Sequence, residues 1–351
     1  MFHNCVMMTP LNTWCLLPLT VLLLLSISPT ETEVVQSMSQ CEGFILNKPP
    51  QVPGILENGQ IKGKNRYRVI CQTYENKRRF VTLYDTKNKI PVLSAYKYRG
   101  QENSEEREER PKTHWKIEPQ LEDRSTDKNM KKCDQAQYKN QASDNDYKNN
   151  KDYNRGHLFP SSYGFDESDK ISTFTLTNIV PQAISFNSGS WEKMEKYMRC
   201  VLENYCENKE GYVVTGAKAS PDKKLNSRVN IPSMLWSAFC CYSQQNRKWI
   251  AGAFWGANVR DESETTYLPM RTLADLYNEL STGSARFEAF PGPRENTSKC
   301  PLKETAEESL GALNIKTTCK YPPKNFTEIF HKDKAKGFKK NGKTLRIIVE
   351  D

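Results

Sequence analysis

The sequence predicts an α+β protein with a central antiparallel sheet flanked by helices and braced by disulfides. Three observations carry that prediction. Short apolar runs recur between turn-forming residues, one later segment switches to helical period, and cysteines are frequent in a chain whose start reads as a secretory leader. With 351 residues the chain can bury a full core, as one large domain or two small ones. Its hydrophobic content of 37% and charged content of 26% suit a soluble globular protein. The net charge of +9 favours polyanionic partners, although a merely soluble basic protein accounts for it equally well.

The organisation is read in chain order. Leu16 to Ile27 (LLPLTVLLLLSI) is too short to span a bilayer comfortably and sits where a signal-peptide core belongs. Residues 1–31 are therefore expected to be a signal peptide, with cleavage between Ser28 and Val34. Residues 1–15 hold no Lys or Arg, so an uncleaved anchor is the competing reading. No other long apolar run exists, and no stable membrane insertion is expected after cleavage. Secreted or extracellular placement follows, with lysosomal delivery left open. Sequons at Asn296 and Asn325 agree with that route as candidate glycosylation sites.

Of eleven cysteines, Cys5 and Cys15 leave with the signal, and nine remain. In a secreted chain these are expected to form disulfides, with one thiol left over. No CxxC pair occurs, which argues against a zinc cage. The pairing cannot be read from spacing.

Residues 35–65 are punctuated by Pro and Gly and read as loop-rich. Arg66 to Tyr74, Arg79 to Tyr84 and Ile90 to Tyr98 read as three strands of an antiparallel meander, with Asp85 to Lys89 as a turn. Gln101 to Arg110 is a glutamate-rich solvated loop. Asn129 to Asn154 is polar and reads as a surface excursion. Thr173 to Ile179 is strand-like. From Ser190 the period becomes helical, with Trp191, Met194, Met198, Val201 and Tyr205 on one face and Ser188 or Ser190 as cap. Tyr212 to Thr215, Trp236 to Tyr242 and Trp249 to Trp255 are further strands, and Thr272 to Leu280 is a short helix. The main domain is placed at 66–285 and a basic C-terminal extension at 286–351, where Lys332 to Arg346 carries six Lys and one Arg against one Asp.

The chemistry concentrates in Lys151 to Glu195. His157 closes an Arg155-Gly156-His157 unit expected to form a tight turn. Its imidazole, titrating at about 6.5 when unperturbed, can take a proton from water at neutral pH. Gly156 permits close backbone approach and an unusual dihedral. Asn187, at the mouth of the helix, offers a neutral oxygen to a hard cation such as Mg²⁺, with Mn²⁺ or Ca²⁺ as alternatives. Glu195 lies eight residues on, about 80° around an ideal helix, and shares that face. Taken singly, each has a blander reading: a structural histidine, a helix-start asparagine, a solvated glutamate.

Together these segments resemble the DNA/RNA non-specific endonuclease family with the ββα-metal fold, and within it the endonuclease domain-containing 1-like secreted proteins. The motifs are Asn154-Arg155-Gly156-His157, Thr177-Asn178-Ile179-Val180-Pro181-Gln182, and Phe186-Asn187-Ser188-Gly189-Ser190-Trp191 followed by Glu195. Trp115 to Leu121, Val213 to Gly216 and Ile231 to Ser233 match as flanks. The resemblance covers roughly residues 65–285 and implies a one-metal hydrolysis of DNA and/or RNA, without sequence preference, to 5′-phosphate products. It implies His157 as general base, Asn187 as Mg²⁺ ligand, Arg155 as positive charge near the phosphate, Glu195 as orienter of water on the ion, and Asn178 as hydrogen-bonding support. Two departures stand out. Asn154 occupies the place of the family's Asp, and no arginine aligns clearly before Trp115, where Arg110 and Lys112 are the nearest cations. The alternative is a catalytically weakened nuclease fold acting as an extracellular nucleic-acid-binding or interaction module. DNA versus RNA preference and oligomeric state are not legible.

Overall fold

The computed structural model describes residues 33–102, 111–292 and 298–321, with the backbone of 339–340 and 343–344. The expected signal segment, most of the glutamate-rich run, Asn296, Asn325 and nearly all of the basic tail lie outside the described residues.

In chain order the elements used below are β1 (Val34–Val35), β2 (Tyr67–Tyr74), β3 (Lys77–Asp85), β4 (Ile90–Tyr98), β5 (Tyr153–His157), α1 (Glu167–Ser172), β6 (Ile179–Ala183) and α2 (Glu192–Tyr205). They continue with β7 (Gly211–Lys218), β8 (Met234–Ser243), β9 (Lys248–Ala257), α3 (Leu273–Leu280), α4 (Ala306–Leu310) and α5 (Ala312–Cys319). A seven-stranded sheet runs β1-β2-β3-β4-β7-β8-β9, every neighbour pair antiparallel. β5 and β6 pair as a separate antiparallel ribbon. The protein is α+β, with the sheet, the ribbon and the helix after it as its framework.

Alternation buries the sheet on both faces. Phe80, Tyr96, Val213, Phe239 and Phe254 pack with the ribbon and with Met194, Met198, Val201 and Leu202 of α2. Val81, Leu83, Val214, Trp236 and Ala251 pack the other way, against Leu273, Leu276 and Tyr277 of α3. At roughly 1.5–3 kcal/mol per fully buried large apolar side chain, this two-sided burial is what fixes strand register.

The disulfides are Cys41–Cys71, Cys200–Cys319, Cys206–Cys241 and Cys240–Cys300, which leaves Cys133 as the odd thiol. Cys240 and Cys241 are strand neighbours, so their side chains leave opposite faces of the sheet and staple one layer on each side. Residues 286–292 and 298–321, expected in the C-terminal extension, contribute to the core. Phe287 and Phe290 are buried, Cys300 and Cys319 are bridged, and Tyr321 stacks on Tyr197 at 4.2 Å.

Three local expectations change. Arg155-Gly156-His157 forms part of an extended strand rather than a turn. Thr173 to Ile179 is not one strand: a 3-10 turn spans Leu176–Asn178 and β6 begins at Ile179, because the Asn178 side chain draws the chain inward. The polar stretch before β5 is not wholly at the surface, since Tyr138, Gln141, Ala142 and Tyr147 are buried beneath it.

Candidate active site

β5 and β6 pair with Tyr153 opposite Ala183, Asn154 opposite Gln182, Arg155 opposite Pro181, Gly156 opposite Val180 and His157 opposite Ile179. Strand alternation places Tyr153, Arg155 and His157 on one face and Asn154 and Gly156 on the other. The half-buried His157 ring sits between two aromatics: Phe174 edge-on at 5.0 Å and Trp115 tilted at 5.6 Å. That packing restricts the imidazole to few orientations.

Asn178 holds this strand end in place. It is fully buried, and its carboxamide is saturated. Oδ1 accepts from Ser94 Oγ and Phe159 N, both at 3.0 Å, while Nδ2 donates to Phe159 O at 3.0 Å and Thr173 O at 3.1 Å. Its backbone carbonyl also accepts from Leu158 N at 3.0 Å. Asn178 therefore fixes Leu158 and Phe159, the two residues that follow His157, and presents nothing to solvent.

Gly156 is required by space. A Cβ there would lie 2.1 Å from Gln182 Oε1 and 2.7 Å from Gln182 Cβ. Gln182 is fully buried and lies across the glycine, and its amide atoms have no hydrogen-bond partner among the described residues. Gly156 does not have a left-handed φ, so close approach, and not an unusual dihedral, explains the residue.

Arg155 is already engaged. Its Nη2 donates to Asp144 Oδ1 at 2.6 Å and to Asp144 O at 3.0 Å, and its guanidinium stacks over Trp115 and Tyr147 at 5.4 Å each. Asp144 offsets part of its charge. Asn154 is exposed, and its side chain makes no hydrogen bond among the described residues.

Asn187 begins a π-helical turn, Asn187–Trp191, that joins a short helical turn after β6 to α2. Such turns break the regular ladder and re-aim side chains. Gly189 is non-helical there (φ −115°, ψ −109°), so the 80° offset expected for an ideal helix does not carry across to Glu195. The turn is locked by Asp261, which accepts from Ser190 N at 2.7 Å and Ser190 Oγ at 2.8 Å. Asp261 N in turn donates to Ser185 Oγ at 3.0 Å. The cap thus comes from another part of the chain, not from Ser188, whose hydroxyl bonds back to Ile184 O. The half-exposed Asn187 carboxamide has no hydrogen-bond partner among the described residues.

Glu195 Oε1 accepts the Trp191 indole N–H at 2.9 Å, and its backbone carbonyl accepts from Tyr163 OH at 2.6 Å. That second bond ties α2 to the turn that follows His157. Although part of Glu195 remains accessible, its carboxyl group is surrounded by protein, and burial pushes it up to about 8.

Among the described residues no three His, Cys, Asp or Glu side chains cluster as metal ligands. Of the site residues read from the sequence, Asn187 offers an unpartnered side-chain oxygen among the described residues. A hard, hydrated cation such as Mg²⁺ fits that set, since it keeps most of its waters, whereas zinc does not. Sequence reasoning missed Asp144 and Asp261. Asp261 lies 71 residues from Ser190, and Asp144, 11 residues before Arg155, sits in a polar stretch where nothing local marks it out from its neighbours.

A family model described as DNA/RNA non-specific endonuclease matches residues 62–294. The human Endonuclease domain-containing 1 protein is 30% identical over 215 residues, 58% of this chain and 39% of that protein's length. The chain thus matches about two fifths of that relative. A Nostoc protein described as a nuclease is 35% identical over 85 residues, 24% of this chain and 30% of its own length. A chain in the crystal structure of the EndoG/EndoGI complex superposes with a TM-score of 0.43 at 19% identity, covering 57% of this chain and 81% of that one.

Proposed function

Because the chain belongs to the DNA/RNA non-specific endonuclease family, we propose that it is a secreted, Mg²⁺-dependent nuclease. It hydrolyses phosphodiester bonds of DNA and RNA without reading sequence and leaves 5′-phosphate ends. The observation that carries this reading is the ribbon-and-helix unit itself. His157 ends β5 against two aromatic rings, and the unpartnered Asn187 oxygen opens the turn that follows β6.

His157 acts as general base and takes the proton of the attacking water. The aromatic pair holds its ring, and Asn178 fixes the chain just after it, so that little reorganisation accompanies the transfer. Asn187 would hold the cation, which would supply Lewis-acid polarisation of the phosphate and charge stabilisation for the leaving 3′ oxygen. Glu195, oriented by the Trp191 indole, fixes water within the site. Arg155, braced by Asp144, supplies positive charge near the phosphate. Exposed lysines and arginines add sequence-independent attraction. Four disulfides support folding in an oxidising compartment. No helix among the described residues is long and apolar enough to cross a membrane.

Plasmid cleavage by the oxidised protein, with Mg²⁺ and with EDTA, tests this: Mg²⁺-dependent nicking is expected, and an inert pure protein sinks it. One observation favours a second reading, a nucleic-acid binder with weakened turnover: Asn154 replaces a carboxylate at an exposed position beside an Arg155 already paired to Asp144. Under that reading Asn154→Asp raises cleavage sharply while affinity changes little.

A further inference from the structure

Beside the start of the Asn187 turn lies a cleft of about 510 Å³ that the catalytic reading does not use. Lys151, Tyr153, Ile184, Lys223, Val259 and Arg260 line it. We propose that this cleft is a subsite for an unpaired stretch of the polynucleotide flanking the scissile phosphate, with cations on its phosphates and a base against its apolar shelf. The proposal rests on the nuclease reading and names the form of substrate that reading leaves open.

The shelf is the first observation. Ile184 and Val259, 38% and 58% exposed, are the large apolar side chains left at the surface among the described residues, and both face this cleft. Set together in one concave, positively charged surface, the two offer an apolar face to an unstacked base. A base offers its flat face to such a shelf only when it has left its own stack, which selects single strands over duplex.

Charge is the second. Lys151, Lys223 and Arg260 are exposed and make no ion pair among the described residues, while one carboxylate, Asp152, lines the same cleft. Three cations against one carboxylate leave a net positive surface suited to a phosphate chain.

Position is the third. Tyr153 and Ala183 are the end pair of the ribbon whose other end carries His157. Four residue steps along the strand take the chain from Tyr153 to His157, about 13 Å at roughly 3.3 Å per residue, so the cleft lies within reach of a strand that also passes His157. The floor is rigid. Asn258, buried, accepts from Ala183 N at 2.8 Å and donates to Pro181 O and Pro232 O at 2.9 Å each, and Ile184 N donates to Asp152 O at 3.0 Å.

The experiment is fluorescence anisotropy in EDTA, with labelled single-stranded and duplex oligonucleotides of equal length across a salt series. Replacing the three cations together (K151Q, K223Q, R260Q) is expected to flatten the slope of log affinity against log salt by about 2, at roughly 0.7 per phosphate contact on single strands. The pair Ile184→Ser and Val259→Ser is expected to weaken single-strand binding about tenfold, the size of one base contact, and to leave duplex binding unchanged. An unchanged slope, or equal losses on both oligonucleotides, overturns the subsite. If the wild-type protein cleaves with Mg²⁺ while both variants bind like wild type, the subsite alone fails. If the wild type neither binds nor cleaves, the nuclease reading fails and takes the subsite with it.

Discussion

Gly156→Ala offers a direct test of how the ribbon is built. The added Cβ would sit 2.1 Å from Gln182 Oε1, 2.7 Å from Gln182 Cβ and 3.0 Å from Gln182 Cδ. Comfortable carbon contacts need about 3.5–4 Å, so something must move. Rotation of the amide relieves only the first and third contacts, and Gln182 has no exposed side to rotate into. The second contact involves a Cβ fixed to the β6 backbone, so β5 and β6 must part. Overpacking of this kind costs about 1–3 kcal/mol. At roughly 2–4 °C per kcal/mol for a domain of this size, the melting temperature should fall by between about 2 and 12 °C. Thermal unfolding of the oxidised protein, followed by circular dichroism, reads that shift. Adding Gln182→Ala removes Oε1 and Cδ but keeps Cβ, and should restore part of the loss. Gly156→Ala melting with the wild type would refute the reasoning, because the backbone dihedral gives no second source of strain.

Asp261→Ala deprives Ser190 of both acceptors and should cost about 1 kcal/mol of stability. Its plasmid-cleavage rate should fall further than that loss explains, because the turn carrying Asn187 loosens; wild-type cleavage would show that Asp261 does not position Asn187. Glu118 is buried, and burial pushes its carboxyl from 4.5 up to about 8. Between those values the unfolded chain has released a proton that the folded chain keeps, so stability falls as pH rises, by up to about 1.4 kcal/mol per pH unit. Glu118→Gln should flatten that slope in urea midpoints taken from about pH 5 to about pH 8, and an unaltered slope would contradict the assignment. Cys200→Ser with Cys319→Ser opens a bridge of 119-residue separation and should cost roughly 2–5 kcal/mol, with early proteolysis after α4. A wild-type melting point for that pair would count against the C-terminal segment as a structural brace.

The strands of the main sheet and the helix α2 were legible because their periodicity is local. Phe80 and Val81 alternate, and Trp191, Met194, Met198 and Val201 recur at helical steps whatever their distant partners are. The site motifs were legible as residue types, yet their geometry depends on groups far away in sequence. Gly156 read as a turn glycine because its true constraint, the Gln182 amide, is set across a strand pair. Asn178 read as a site residue, and only the fold shows all four of its hydrogen-bonding positions turned inward. The π turn at Asn187 is imposed by Asp261, 71 residues from Ser190. Cysteine pairing was closed to sequence reading for the same reason: adjacent Cys240 and Cys241 leave opposite faces of one strand toward separate layers.

The central claim is that His157 activates water for phosphodiester hydrolysis at a site where Asn187 holds a hydrated cation. The most direct measurement compares Mg²⁺-dependent plasmid cleavage by the wild-type protein and by His157→Ala, each verified as folded and fully oxidised. The account predicts that the wild type cleaves and that the variant loses roughly 10²–10⁴-fold in rate while retaining its melting temperature to within the change expected for a half-buried ring. Cleavage by His157→Ala at the wild-type rate would contradict it.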